Sequence, residues 1–156
     1  MKITMAAEYA VRCILYLTRQ GQDVLVSRQE IADRTRTPGN FLAKIAQDLA
    51  KAGIITIKQG AKGGFCLHRD PNEVTMLAVV EAIIGEISLN ECTVRPASCP
   101  ASLDCSANLV WQRARQQVRE TLRQATFADL ARLGSCVPLP SIPQPPEPGS
   151  NHGVSS

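Results

Sequence analysis

Cys92, Cys99 and Cys105 fall within one short polar stretch, NECTVRPASCPASLDCSAN, running from Asn90 to Asn108. Pro96 and Pro100, among Ser, Ala and Asn, predict a loop there rather than a helix or strand. Thiols on an exposed loop oxidise readily, so three of them together are a liability unless they share a task. Each thiolate can ligate one metal atom, and soft sulfur ligands select zinc, copper(I) or iron–sulfur centres. The gaps between the cysteines are six and five residues, wider than the close cysteine pairs of a structural zinc site. Such gaps suit a larger object, an iron–sulfur cluster whose metal atoms are spread apart. A zinc site completed from elsewhere and a bare thiol switch remain open on the spacing alone.

The other thiols read as structural. Cys13 lies near the apolar face of a helical stretch, Cys66 between Phe65 and Leu67, and Cys136 at the edge of a proline-rich end. Lone cysteines in apolar settings behave as small hydrophobes. No nucleophile–base pair, phosphate loop or second cluster motif accompanies them, which argues against an enzyme or an electron carrier. The opening MKITMAAEYAVRCILYL is interrupted by Glu8 and Arg12 and ends in nothing like a cleavage site. The most apolar later run, MLAVVEAII, is short and carries Glu81, so no membrane span is expected. The expected location is cytoplasmic, where thiols stay reduced and clustered cysteines bind metal or sense redox change.

The net charge of +3 conceals an asymmetry. Residues 1–70 carry eleven Lys or Arg against six Asp or Glu, whereas residues 71–106 carry one against five. A basic first half points to a polyanionic partner on that side.

The elements that would position these groups can be read in order. Apolar residues at helical spacing predict a helix over Thr4–Gln20, closed by Gly21. The stretch SRQE reads as a capping box, with the Ser27 hydroxyl accepting from the Glu30 N–H while Glu30 reaches back. That helix runs to about Arg34. A third starts at TPGN, with Thr37 as N-cap, Pro38 at the first helical position and Phe41, Leu42, Ile45 and Leu49 as its buried stripe. Alternation of Ile55 and Ile57, then of Phe65 and Leu67, around Gly60, Gly63 and Gly64 predicts a β-hairpin with a basic, glycine-rich tip. A helix capped by Thr75 and ended by Gly85 follows. Beyond a cysteine loop over 88–106, one long helix is predicted over 107–133, with Trp111, Ala114, Val118, Leu122 and Ala125 as its stripe. The last segment, 135–156, holds six of the ten prolines and reads as a disordered tail.

The result is a mostly α chain with a small β-hairpin wing: a winged helix-turn-helix over 1–134, plus a long C-terminal dimerisation helix. In that arrangement the third helix enters the major groove of duplex DNA while the hairpin tip lies along the backbone. The residues expected at the DNA are Arg28, Arg34, Arg36, Thr37, Asn40 and Lys44 around the turn and third helix, and Lys58, Lys62, Gly63 and Gly64 on the wing. The glycine pair would let the backbone approach closely, and the third helix's N-terminus favours phosphate.

The stretch SRQEIADRTRTPGNFLAKIAQDLAKAGIITIKQGAKGGFCLHRDPNEVTMLAVVEAIIG resembles the Rrf-two family of bacterial winged-helix transcription regulators, AGII…G..GGF.L with VVEAI.G being its most specific part. The similarity runs from Met1 to about Gly134. It implies a homodimer, joined through the long C-terminal helix, that binds a pseudo-palindromic double-stranded DNA operator, commonly as a repressor. In the sensing members three cysteines before that helix hold an iron–sulfur cluster, 2Fe-2S or 4Fe-4S, which would fall here to Cys92, Cys99 and Cys105. The family's iron–sulfur assembly regulator adds a histidine where this chain has Asn108, and an amide ligates iron poorly. In other relatives a first-helix carboxylate reaches across the dimer, which implies the partner subunit's Glu8 as the fourth ligand. The alternative is a cluster-free thiol or zinc-binding regulator of cysteine and sulfur metabolism.

Overall fold

The computed structural model describes residues 3–101 and 104–134; the predicted tail over 135–156, Cys136 included, lies outside them. The described elements are α1 (Met5–Gln20), α2 (Arg28–Thr35), α3 (Gly39–Lys51), β1 (Ile55–Lys58), β2 (Gly64–Leu67), α4 (Met76–Ile84), α5 (Ser106–Gln124) and α6 (Phe127–Leu133). Two short 3-10 turns, Glu91–Thr93 and Pro96–Ser98, lie between α4 and α5. The winged helix-turn-helix is therefore present in the expected order.

Thr4 caps α1 by accepting from the Ala7 N–H at 3.3 Å. Ala7, Ala10, Cys13, Ile14 and Leu17 turn its apolar face into the core, and Gly21, at φ +113°, ends it. Leu42, Ile45 and Leu49 of α3 meet that face together with Ile31, Ile54, Leu67, Val74 and Val79. Half of the capping box forms: the Ser27 hydroxyl accepts from the Glu30 N–H at 3.2 Å. The Glu30 carboxylate does not reach back, because it accepts instead from the Tyr16 hydroxyl of α1 at 2.6 Å. A long-range bond between helices has displaced the local one.

Three details of α3 and its entry depart from expectation. The N-cap is Pro38, which supplies no side-chain hydrogen bond. Thr37 is 3% exposed and its hydroxyl lies 2.8 Å from that of Thr35, so it is committed to the turn's interior. Phe41 is 47% exposed rather than buried; its ring packs tilted against Tyr9 at 6.0 Å, outside the core stripe.

The hairpin pairs Ile55 with Leu67, Thr56 with Cys66, Ile57 with Phe65 and Lys58 with Gly64. Val26 joins as a bridge to Phe65, exchanging backbone bonds of 2.9 Å in both directions. This contact explains the glycine pair. A Cβ on Gly64 would lie 2.0 Å from the Val26 carbonyl oxygen, and one on Gly63 would lie 2.3 Å from that of Lys58. Both glycines are thus demanded by the wing's own packing. Gly64→Ala is expected to push Val26 off β2 and lower stability by about 1–3 kcal/mol, measurable as a fall in urea midpoint. An unchanged midpoint would show that Val26 is free to shift.

The single long helix is in fact two. Ala125 is extended at φ −83° and ψ 101°, and Thr126 caps α6, accepting from the Asp129 N–H at 3.2 Å. The extended pair binds the segment before α4: Met76 N–H donates to the Ala125 carbonyl at 2.8 Å, and Phe127 N–H to that of Val74 at 2.9 Å. The break drives the Phe127 ring, fully buried, into the core beside α1. Leu77, Val80 and Ile87 form a smaller cluster, against which Val118 and Leu122 pack from α5. Trp111, in the same predicted stripe, is 43% exposed, and Leu109 and Val110 beside it are 71% and 65% exposed.

Candidate functional site: a basic face and a thiol loop

The basic residues divide between two faces. On the first, α3 and the wing flank a depression of about 340 Å³ lined by Arg28, Gln47, Lys58, Gln59 and Gly63. Arg28 is held there by donating to the Gly39 carbonyl at 3.1 Å. Asn40, Lys44, Lys58 and Lys62 are exposed. Lys44 lies 3.6 Å from Asp48, which also pairs with Lys51 at 3.8 Å, so part of α3's charge is offset. Gln47 and Gln59 were not expected at this face. Gln47 was legible in principle, since it sits three positions after Lys44 on the same side of α3.

Arg34 and Arg36 are exposed but border a different depression, of about 220 Å³, with Arg12, Tyr16 and Arg19 of α1. Arg36 ends α2 in the left-handed region at φ +53°. Thr37, buried between them and α3, offers no side-chain surface to a ligand.

In the thiol loop, Cys92 belongs to the first 3-10 turn, Cys99 follows the second, and Cys105 is the N-cap residue of α5. Cys92 and Cys99 are half-buried and Cys105 is exposed, all as free thiols. The partial positive charge at the N-terminus of a long helix favours a negatively charged ligand at Cys105. A depression of about 350 Å³ beside it is lined by Pro96, Asp104, Cys105, Asn108, Leu109 and Gln112. Asn108 is buried there, its side-chain oxygen accepting from Gln112 at 3.2 Å. Among the described residues no three Cys, His, Asp or Glu side chains are close enough together to hold a metal ion. As a donor set, three accessible thiols on one segment fit an iron–sulfur cluster, and holding one requires the loop to draw them together.

The loop's entrance is braced by charges that the sequence reading did not single out. Glu81 of α4 accepts from the Ile87 N–H at 3.0 Å and is paired with Arg119 of α5. Arg115 is paired with Glu86 and also donates to the Ile87 carbonyl at 2.7 Å. Arg119 lies 3.7 Å from Glu86 as well. Partners so far apart in sequence can be matched only once α4 and α5 are known to cross.

Cys13 and Cys66 are inaccessible. Burial pushes the Cys13 thiol up to about 12, so it stays protonated. Cys66 is buried with its sulfur 3.9 Å from the Thr56 carbonyl. Glu8 is half-exposed and lies 3.7 Å from Arg12, one helical turn on.

Residues 3–133 match the family described as Rrf2, iron-dependent transcriptional regulator. The chain belongs to the Rrf2 family. It is similar to the protein rrf2 of Nitratidesulfovibrio vulgaris, 31% identical over 88% of this chain and 92% of that one. It is also 31% identical to the transcriptional regulator NsrR of Shouchella clausii, over 83% of this chain and 88% of the relative. Its fold is shared with CymR, the global cysteine regulator of B. subtilis, at a TM-score of 0.66 and 24% identity, covering 85% of this chain and 97% of that one. As a member of the Rrf2 family the chain is a DNA-binding transcriptional regulator and not an enzyme. No helix among the described residues is long and apolar enough to cross a membrane.

Proposed function

We propose that this Rrf2 protein is a cytoplasmic, homodimeric repressor. In this reading it binds a pseudo-palindromic operator and senses redox, nitric oxide or iron–sulfur status through a cluster ligated by Cys92, Cys99 and Cys105. The observation that carries the reading is the division of its thiols: the loop cysteines are accessible at the foot of α5, while Cys13 and Cys66 are buried. When bound, the cluster supplies redox chemistry tuned by its ligands and solvent exposure. The chain supplies the linkage. Its loop starts at Ile87, gripped by Glu81 and Arg115, and ends on the N-cap of α5. Drawing the thiols together therefore loads both the α4 and α5 ends. The exposed Leu109, Val110 and Trp111 give a second copy an apolar face to cover.

The test is purification without oxygen followed by a visible spectrum and DNA retention. A coloured protein that retains duplex DNA supports the reading. A colourless one that still retains DNA supports a regulator of cysteine or sulfur metabolism using bare thiols or zinc. That second reading is favoured by the separation of the thiols and by Asn108 in place of a histidine.

On the DNA side, the half-sites are expected about 34 Å apart, one helical turn. Lys62→Ala should weaken binding to every sequence and reduce the salt slope by about one ion, whereas Asn40→Ala should change which operators are preferred. Binding that is insensitive to salt would contradict the interface.

For the fourth ligand we take the partner subunit's Glu8, the only acid on α1. A carboxylate is a harder ligand than a thiolate and suits a labile position. The competing role is the surface pair with Arg12, worth about 0.3–0.5 kcal/mol. With both variants reconstituted without oxygen, Glu8→Ala but not Arg12→Ala should shift the visible spectrum and speed cluster loss. Identical spectra for the two would leave Glu8 as a surface acid.

A further inference from the structure

We infer that the arginine-lined depression between α1 and α2 is a second anchor for the DNA backbone, outside the segment read by α3 and the wing. The inference rests on the DNA-binding reading and extends its footprint. Arg12, Arg19, Arg34 and Arg36 line this depression together with Tyr16. It shares no residue with the depression between α3 and the wing. On α2, Arg28 faces the first and Arg34 the second. They are six residues apart, so at about 100° per residue their side chains diverge by roughly 120°.

The charge balance favours an anion. The acids facing this surface are Glu8, which pairs with Arg12, and Glu30, which accepts from Tyr16. Asp33 on α2 is engaged by Gln29 instead. Arg19, Arg34 and Arg36 make no ion pair among the described residues, which leaves three exposed guanidinium groups for a ligand.

The shape favours a polymer backbone over a small free anion. The depression is shallow and its arginines are on the surface rather than wrapped around an enclosed site. Arg12 and Arg19 are seven residues apart on α1, about 10 Å along the helix axis at about 1.5 Å per residue. That length equals about three base-pair steps of duplex axis at about 3.4 Å of rise each. Arg36 also lies only three residues before Gly39, the first residue of α3, so the patch continues directly from the turn that enters the groove. A duplex lying against α3 passes this edge next, and guanidinium groups there bind phosphate without reading sequence.

The test uses the full chain and a duplex selected by the wild-type protein from a random pool. The duplex is prepared in two lengths: trimmed to the selected site, and extended by one helical turn at each end. Arg19→Ala should weaken binding to the extended duplex by about three- to tenfold at low salt and lower its salt slope by about one per subunit. Binding to the trimmed duplex should be unchanged, and Arg19→Lys should retain affinity for both. Lys62→Ala should weaken both lengths alike. Wild-type affinity of Arg19→Ala for both duplexes would overturn the inference while leaving the α3 and wing interface standing. So would inorganic phosphate stabilising the wild type but not Arg19→Ala while extended-duplex affinity stays unchanged, since the site would then serve a free anion. A selection that enriches no duplex would overturn the DNA-binding reading, and this anchor with it.

Discussion

Alanine at Cys92, Cys99 or Cys105 is expected to abolish the visible absorption of protein purified without oxygen, together with any change in DNA affinity on exposure to oxygen or nitric oxide. Cys13→Ala, Cys66→Ala and Cys136→Ala are expected to leave both intact. For Cys13 and Cys66 the contrast follows from accessibility. Only thiolates ligate metal, and the Cys13 thiol is pushed up to about 12 by burial in the face of α1 that meets α3 and α4. Cys66 is closed into β2, opposite Thr56. The loop thiols, by contrast, sit in the 3-10 turns and at the N-cap of α5, where ligands can be rearranged without opening the core. The loss in each loop variant should be complete rather than graded, because no other Cys or His lies in the loop to replace the missing ligand. Equal effects across all six cysteines would point to general instability and contradict ligation by the loop.

The second large effect belongs to a residue far from either face. Phe127→Ala should cost about 3–5 kcal/mol of stability, the range for removing a buried aromatic ring and leaving a cavity. Phe127 is among the largest fully buried side chains, and its backbone N–H is fixed to Val74 at 2.9 Å. Its removal frees α6 from α1 and loosens the extended Ala125–Thr126 step that ties α5 to the start of α4. Urea unfolding of the variant should show the midpoint shift. A loss below about 1 kcal/mol would mean that the site collapses around the gap. Thus α5 is held along its middle, by Arg115 and Arg119 on Ile87, Glu81 and Glu86, and at its C-terminal end by the step into Phe127.

What the sequence made legible was local. The caps at Ser27 and Thr75, the stop glycines at 21 and 85, and the hairpin between Ile55 and Leu67 are set by near neighbours and emerge as expected. The departures come from contacts distant in sequence. Tyr16 captures Glu30 across two helices, Val26 makes Gly64 obligatory, and Val74 and Met76 break the long helix at Ala125. Phe41 has the spacing of a core residue, but on α3 that direction meets Tyr9 at the surface. At the DNA face, the type and spacing of Arg34 and Arg36 predicted charge near the turn. Only the packing of α2 on α1 shows that they join Arg12 and Arg19 rather than the wing. The three thiols were visible because cysteine is rare and clustered. The Glu81–Arg119 and Glu86–Arg115 brace was not, since charges on two crossing helices carry no pairing signal.

The proposed sensing requires a coupling between the thiol loop and the DNA-binding head, and one measurement addresses it directly. Affinity for the selected duplex is followed in a single sample purified without oxygen while its visible absorption is bleached stepwise by oxygen or nitric oxide, with Cys99→Ala run in parallel. A coupling of the usual 1–3 kcal/mol predicts that affinity changes by about 5- to 150-fold in step with the lost absorption, and that Cys99→Ala shows neither signal. A protein that is colourless from the start, or one whose affinity stays constant while its colour disappears, would contradict it.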